Sequence, residues 1–243
     1  MASIVGRKSP ESALQWSAAG HLLAGLLALV AIAWMAEVPA PGQGAAIYLL
    51  FAAALAIWLH RHGPVRSFGG ANRITLFRLV MVSLLAGYVG WPEAVAWPLL
   101  GVAGVALLLD GVDGWWARRQ GLASDFGARF DMEVDAALIL ILAALVWNLD
   151  KAGPWVILSG ALRYLFVGAG WLWPFLRGPL PSSERRRIVC VVQVATLIAC
   201  LAPILGPVVT MPLAAGALVL TAWSFAIDIL WLHRQRSTAS SPV

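Results

Sequence analysis

The sequence predicts an all-α fold, a polytopic membrane helical bundle. Of its 243 residues, 60% are hydrophobic and 12% are charged, and the mean hydropathy is +0.81. A soluble domain needs a larger polar fraction to cover its surface. Apolar runs of about 17–25 residues, the length at which a helix crosses a bilayer, recur along the whole chain.

Eight apolar runs predict the helices in order, and the second run is short. They lie near residues 16–36, 44–60, 74–90, 94–112, 128–148, 154–176, 188–205 and 208–232. A polar linker at 60–70, marked by Gly and Pro, separates the first two helices from the other six. The predicted division is therefore an N-terminal extension at 1–70, with two transmembrane helices and the linker, a six-helix transmembrane domain at 71–234 and a disordered tail at 235–243.

Basic residues gather on one side of the predicted bundle. With eight spans both termini lie on the same side, and nearly all of the arginines fall there. The opposite loops hold Glu37, Glu93, Asp150 and a single basic residue, Lys151. This positive-inside pattern predicts that both termini face the cytoplasm, in a prokaryotic inner membrane. Topology thus explains the formal net charge of +5, and no nucleic-acid partner is expected.

The cysteines and histidines predict no soft-metal site. Cys190 and Cys200 lie ten residues apart in one apolar segment, too far along a helix to bridge. Both are expected to be buried free thiols. The four histidines are scattered, with no pair at ligand spacing, so they are expected to be packing or interfacial residues.

Aspartates gather at the edges of two neighbouring apolar segments, where carboxylates are costly. Spacings of three and four residues put five residues of the fourth helix on one face: Asp110, Asp113, Gly114, Ala117 and Arg118. The same rule aligns three residues of the fifth helix: Gly127, Asp131 and Asp135. Gly121 interrupts the pattern between them, and Ser124 or Asp125 can cap the fifth helix. Because a short turn joins the helices, the two faces can meet across a cleft.

Four converging carboxylates repel one another strongly unless cations are present. Oxygen ligands without His or Cys favour a hard ion such as Mg²⁺ or Mn²⁺, and there is room for two ions of the kind that clamp a phosphoryl group. Small residues on the two faces let a bulky group approach the backbone, and Arg118 offers a guanidinium to phosphate. A merely solvated loop would account for the charges off the two faces, but not for four aspartates aligned on apolar helices.

The full pattern resembles the signature of the CDP-alcohol phosphotransferases. It reads Asp110-x2-Asp113-Gly114-x2-Ala117-Arg118-x8-Gly127-x3-Asp131-x3-Asp135, and all eight specified positions match. The stretch from Asn72 to Arg78, Asn-Arg-Ile-Thr-Leu-Phe-Arg, is similar to one that opens many members of the family. The resemblance covers 72–231, the predicted six-helix core, so the first two helices look like an addition to that core.

This resemblance implies a role for each motif residue. Three aspartates bind the metal ions: Asp110, Asp113 and Asp131. Asp135 also lies at the metal site and is the expected general base. Six residues are expected to contact the CDP moiety: Gly114, Ala117, Arg118, Gly127, Asn72 and Thr75. The implied enzyme is a homodimer among membrane lipids that uses two Mg²⁺ or Mn²⁺ ions and releases CMP from a CDP-linked substrate.

The motif does not decide whether the lipid arrives on the nucleotide or as the acceptor. Arg163, inside the sixth predicted helix, and the run Arg185, Arg186 and Arg187 favour a CDP-diacylglycerol enzyme with an anionic acceptor. Inositol phosphate or glycerol phosphate would suit them. The alternatives are a positive-inside anchor for the run and an ion pair between Arg163 and Asp228.

Two other functions stay open. A CDP-choline or CDP-ethanolamine:diacylglycerol phosphotransferase would need an aromatic choline site, for which four residues are candidates: Trp115, Trp116, Trp171 and Trp173. The interfacial aromatic belt is the simpler interpretation of these residues. A cation transporter would also use membrane carboxylates, but all four motif aspartates lie at one cytosolic end, with no acidic path across the membrane.

Overall fold

The structure is a computed structural model that describes residues 10–62, 69–91, 96–120, 125–181 and 183–239. These residues form eight α-helices and no strand. The helices are α1 (Pro10–Met35), α2 (Pro41–His62), α3 (Gly70–Ala86), α4 (Ala96–Gln120), α5 (Asp125–Asn148), α6 (Leu158–Leu172), α7 (Glu184–Leu201) and α8 (Pro207–Ala239). Two 3₁₀ helices flank α6, at Pro154–Ile157 and Pro174–Arg177. The all-α prediction is confirmed.

Four helical segments in the described part of the chain are long and apolar enough to cross a membrane. They are Ala18–Met35, Pro41–Trp58, Pro154–Leu172 and Pro207–Gln235. The apolar part of α4, Ala96–Gly111, is shorter, and α3 has 17 residues. Charged residues interrupt the start of α5 and of α7. The helices that fall short of a full apolar span are thus the ones that carry most of the predicted site residues.

The end of α8 and the start of α5 can be compared with the helix ends that the sequence predicts. α8 continues to Ala239, so residues 235–239, predicted to belong to a disordered tail, are helical. Gln, Arg and Ala in this stretch favour a helix, and neither Gly nor Pro interrupts it; residues 240–243 lie outside the described part of the chain. α5 begins at Asp125, one of the two predicted caps, while Ser124 lies outside the described residues.

The chain divides into two compact units. The first comprises Met1–Tyr88 and Leu108–Val134, and the second comprises Val89–Leu107 and Asp135–Val243. The division falls within α5, which is one continuous helix from Asp125 to Asn148.

In the first unit, α1, α2 and α3 pack against one another. The Tyr48 hydroxyl donates to the Leu22 carbonyl at 2.8 Å and so ties α2 to α1. Gly44 of α2 lies so close to the Ser83 carbonyl of α3 that a side chain there would overlap it. The N-terminal helices are therefore packed directly onto α3, the helix that carries the Asn72–Arg78 stretch.

In the second unit, α7 packs along α8. The Thr221 hydroxyl donates to Gln193 Oε1 at 2.8 Å, and both side chains are buried. Lys151, which follows α5, donates from Nζ at 2.5 Å to a carbonyl of the turn between α7 and α8. Cys190 and Cys200 are free, as predicted; Cys200 is buried, and Cys190 is only half-buried.

Candidate active site

α3 presents a buried polar face near its N-terminus. Asn72, Thr75 and Arg78 recur at intervals of three residues, so they lie on one side of the helix. Their exposed fractions are 6%, 3% and 1%. The Thr75 hydroxyl donates to the Ala71 carbonyl at 3.2 Å. Buried polar groups are costly in a membrane protein unless they have partners, so the partners of this face decide its role.

Arg78 lies between two of the predicted aspartates. Its Nη1 is 3.0 Å from Asp110 Oδ1 of α4 and 2.5 Å from Asp131 Oδ1 of α5. The Arg78 side chain is 1% exposed, whereas those of Asp110 and Asp131 are 25% and 36% exposed. Hydrogen bonds between charged groups are stronger than neutral ones. One guanidinium therefore joins α3, α4 and α5, and it meets two carboxylates with a single positive charge.

Asp135 lies one helical turn beyond Asp131 on the continuous helix α5. With one oxygen taken from each carboxylate, Asp110, Asp131 and Asp135 lie within 4.8 Å of one another, and all three residues are half-buried. The donors are oxygen atoms alone, a set that fits Mg²⁺ or Mn²⁺ better than a soft metal. The three carboxylates are therefore close enough to share one divalent ion.

The remaining motif residues are described only in part. Gly127 lies in α5 and is half-buried. Four other predicted residues belong to α4, and their side chains lie outside the described part of the structure: Asp113, Gly114, Ala117 and Arg118. The structure therefore brings together three of the four predicted carboxylates. The fourth carboxylate and the nucleotide contacts stay predictions.

Arg78 is a residue of this centre to which the motif assigned no role. The signal available in the sequence was its position inside the third apolar run, 74–90. An arginine there requires a partner, because an unpaired charge within a spanning helix is costly. The sequence alone does not show which carboxylates supply that partner.

The predicted acceptor residues lie in the second unit. Arg185, in the first turn of α7, has Nη2 2.5 Å from Asp228 Oδ1 of α8, and its Nη1 donates to the Ser224 carbonyl at 2.6 Å. Arg186 Nη1 is 3.4 Å from the same oxygen of Asp228. Asp228 is 6% exposed. Among the described residues, the ion-pair partners of this carboxylate are thus Arg185 and Arg186, and not Arg163.

The remaining residues predicted to contact an acceptor are two arginines and four tryptophans. Arg163 is half-buried in α6, and Arg187 is exposed in the first turn of α7. Trp171 and Trp173, at the end of α6, are 75% and 54% exposed, as expected for aromatic residues of an interfacial belt. The side chains of Trp115 and Trp116 lie outside the described part of the structure.

The helical fold and the group of carboxylates define an integral-membrane protein with a candidate divalent-cation centre. The family model described as CDP-alcohol phosphatidyltransferase matches residues 68–227. The chain belongs to this family, which confirms the resemblance that its aspartate motif carries. It is therefore a transferase of phospholipid biosynthesis.

Two similar proteins have the same name, "Probable phosphatidylglycerophosphate synthase", and come from Mycobacterium tuberculosis strains CDC 1551 / Oshkosh and ATCC 25618 / H37Rv. Each is 33% identical to this chain over 171 residues, which covers 65% of this chain and 79% of the relative. No solved structure matches the chain.

Proposed function

We propose that the protein transfers a phosphatidyl group from CDP-diacylglycerol to a small alcohol that itself carries a phosphate, and releases CMP. Glycerol phosphate is the first candidate acceptor, and inositol phosphate is the second. The observation that carries the proposal is the group of Asp110, Asp131 and Asp135, with Arg78 buried beside two of them. The names of the two relatives support glycerol phosphate over the other acceptors.

The three grouped carboxylates are the proposed ligands of the divalent cations, with Asp113 as the fourth. Mg²⁺ or Mn²⁺, two ions in the proposed arrangement, would supply neutralisation of the diphosphate and of the departing CMP. Asp110 and Asp131 come from different helices, so the packing of α4 and α5 on Arg78 sets the separation of these two ligands.

Asp135 is the proposed general base. The acceptor hydroxyl oxygen attacks the phosphorus that bears the diacylglycerol, and the P–O bond to CMP breaks. The hydroxyl proton passes to the Asp135 carboxylate. Because Asp131 and Asp135 are one turn apart on a single helix, α5 presents a proton acceptor directly beside a proposed cation ligand.

The CDP moiety is proposed to lie along the small residues of the motif and the polar face of α3. Gly114, Ala117 and Gly127 would let the nucleotide approach the helix backbone, and Arg118 would pair with its phosphate. Asn72 and Thr75 share a buried face of α3 with Arg78. This shared face supports their assignment to the same pocket.

Three arginines in the first turn of α7 support an anionic acceptor. The N-terminus of a helix is the positive end of its dipole, where anions are favoured and basic side chains are not. Arg185, Arg186 and Arg187 all lie in that turn. An acceptor phosphate would offset both their charge and that of the helix end; Arg163 of α6 is the fourth proposed acceptor residue.

The orientation in the membrane is part of the same proposal. The positive-inside distribution supports a site and both termini that face the cytoplasm, in a prokaryotic inner membrane. CDP-linked lipid and soluble acceptor would then meet at the cytoplasmic surface. The homodimer stays a prediction from the family resemblance.

The test uses purified protein in detergent with Mn²⁺. Radiolabelled CDP-diacylglycerol is supplied with glycerol 3-phosphate, inositol phosphate, inositol, serine or no acceptor, and CMP and the lipid product are separated and counted. We expect CMP and a phosphorylated lipid with glycerol 3-phosphate, and neither when a chelator replaces Mn²⁺. Transfer to inositol or serine but to neither phosphorylated acceptor would contradict the proposed acceptor class.

A parallel reaction separates the alternatives. CDP-choline or CDP-ethanolamine is supplied with diacylglycerol under the same conditions. CMP from this pair, and none from CDP-diacylglycerol, would reassign the protein to the aminoalcohol branch. No metal-dependent CMP from any combination would remove the proposed activity, and cation flux into proteoliposomes would then test the transporter interpretation.

A further inference from the structure

Arg78 is the most completely buried charged side chain that the structure describes. At 1% exposure it has almost no contact with solvent, and among the described residues Asp110 and Asp131 are anionic partners of its guanidinium. Both contacts are made by one nitrogen, Nη1, and each is made to the Oδ1 atom of a carboxylate. The Nη1 atom therefore bridges carboxylates from two different helices.

Among the described side chains around Arg78, the negative charges outnumber the positive one. Asp110, Asp131 and Asp135 bring three carboxylates within 4.8 Å of one another. A guanidinium stays charged in proteins, so Arg78 contributes one fixed positive charge to this group. Like charges at such separations repel strongly where water is partly excluded, and one fixed cation offsets only part of that repulsion.

We propose that Arg78 is a positioning residue of the cation centre. It limits the repulsion between Asp110 and Asp131 when no ion is bound, and so keeps the two carboxylates together until a divalent ion takes over that task. This inference rests on the proposed function, because it assigns cations to these carboxylates. It goes beyond that function by giving a role to an α3 residue outside the aspartate motif.

A purely structural clamp between α3, α4 and α5 would use the same contacts. The two roles differ in how they depend on the cation. If Arg78 is only a structural clamp, its replacement lowers the stability of the protein by the same amount with and without metal. If Arg78 balances charge, its replacement lowers the stability of the protein more in the absence of metal. When metal is present, the bound divalent ion supplies the missing positive charge.

Thermal unfolding of the full-length protein in detergent separates these roles, with each variant measured in chelator and in Mn²⁺. Arg78→Met and Arg78→Gln remove the charge, and Arg78→Lys keeps it. Arg73→Met is the matched control, because Arg73 is an exposed arginine of the same helix. CMP release from CDP-diacylglycerol is measured alongside.

We expect Mn²⁺ to raise the unfolding temperature of the wild type and to raise that of Arg78→Met and Arg78→Gln by a clearly larger increment. Their unfolding temperatures in chelator should lie several degrees below that of the wild type. Arg78→Lys should show an increment close to the wild-type value, and Arg73→Met should be indistinguishable from the wild type. For the two uncharged variants, kcat of CMP release should fall at least about 10-fold, as expected for misplaced reacting groups.

If replacement of Arg78 lowers the unfolding temperature equally in chelator and in Mn²⁺, the inference is overturned and Arg78 is a structural clamp. The same holds if Arg78→Lys behaves like Arg78→Met, because the charge would then be irrelevant. If Arg78→Met does not fold, the comparison of Arg78→Gln with Arg78→Lys decides the matter by the same criteria. A wild type whose unfolding temperature does not respond to Mn²⁺ would instead overturn the proposed cation site itself, and with it this role of Arg78.

Discussion

Arg185 at the start of α7 is paired with Asp228 of α8 at 2.5 Å. The same guanidinium donates to the Ser224 carbonyl, one turn earlier on α8, and lies over the Trp223 ring at 5.9 Å from its centroid. Arg185 is thus fixed on three sides by α8. Within the basic run, Arg185 and Arg186 are half-buried, and Arg187, which is exposed, is the one most open to solvent.

Asp228→Asn tests this arrangement. The substitution removes the charge that Arg185 and Arg186 share, and the side chains of Arg185 and Asp228 are 24% and 9% exposed. We expect the free energy of unfolding to fall by about 2 kcal/mol, the scale of a lost hydrogen bond between charged groups. If the run binds the acceptor, the KM for glycerol phosphate should rise while the KM for CDP-diacylglycerol stays unchanged.

Glu184→Gln is the control for that measurement. Glu184 lies next to Arg185 but is exposed, so its replacement should change neither the stability nor either KM. A loss of stability in Asp228→Asn with both KM values unchanged would leave the pair a structural clamp between α7 and α8, and would contradict an acceptor role for Arg185 and Arg186.

Asp135→Asn tests the general base. The amide keeps the shape of the carboxylate but cannot accept the hydroxyl proton, so kcat should fall by at least about 100-fold. Binding of the nucleotide, measured by equilibrium dialysis with labelled CDP-diacylglycerol in detergent micelles, should remain detectable. Glu133→Gln is the control, because Glu133 is an acidic residue of α5 outside the aligned face. Full activity in Asp135→Asn would remove the assignment.

Much of the fold follows from the apolar runs, because a membrane sets both the length and the composition of a spanning helix. In the part of the chain that the structure describes, eight α-helices correspond to the eight runs in the predicted order. The sixth run, 154–176, shows where that argument fails. The chain there is a 3₁₀ turn, the helix α6 and a second 3₁₀ turn, with Pro154 and Pro174 at the first positions of the two turns. Hydropathy does not register such breaks, whereas proline does.

The acidic centre was predictable to the extent that it depends on helix periodicity. The spacing of Asp131 and Asp135 fixes both on one face of α5, whatever the rest of the fold does. The role of Arg78 depends instead on how α3 packs against α4 and α5, since its partners lie 32 and 53 residues further along the chain. A single sequence carries no direct signal for such pairings, so the structure had to supply this residue.

Gly44→Leu tests whether the N-terminal extension supports the helix that carries Arg78. A side chain at Gly44 would overlap the Ser83 carbonyl of α3, so α2 and α3 must separate to accept it. Overpacking of this kind costs about 1–3 kcal/mol, and we expect a lower unfolding temperature together with weaker CMP release.

Gly42→Leu provides the matched control on the same helix. Gly42 has nothing within 4 Å of the position that a side chain would take, so this variant should resemble the wild type. If Gly44→Leu unfolds at a lower temperature but releases CMP at the wild-type rate, the extension is an anchor that the α3 site does not need.

Asp113→Asn tests the part of the site that rests on the motif alone. Asp113 follows Asp110 by three residues, a spacing that predicts a shared helix face, and its proposed role is the fourth cation ligand. Loss of one carboxylate from a divalent-cation site weakens binding of the cation, because each charged ligand contributes to the attraction.

The rise in unfolding temperature with Mn²⁺ should therefore shrink in Asp113→Asn as it does in Asp110→Asn, and kcat should fall in both. Asp125→Asn, at the start of α5 and off the spacing that aligns Gly127, Asp131 and Asp135, should keep the wild-type response. If Asp113→Asn responds to Mn²⁺ like the wild type while Asp110→Asn does not, the cation centre consists of the three grouped carboxylates without Asp113.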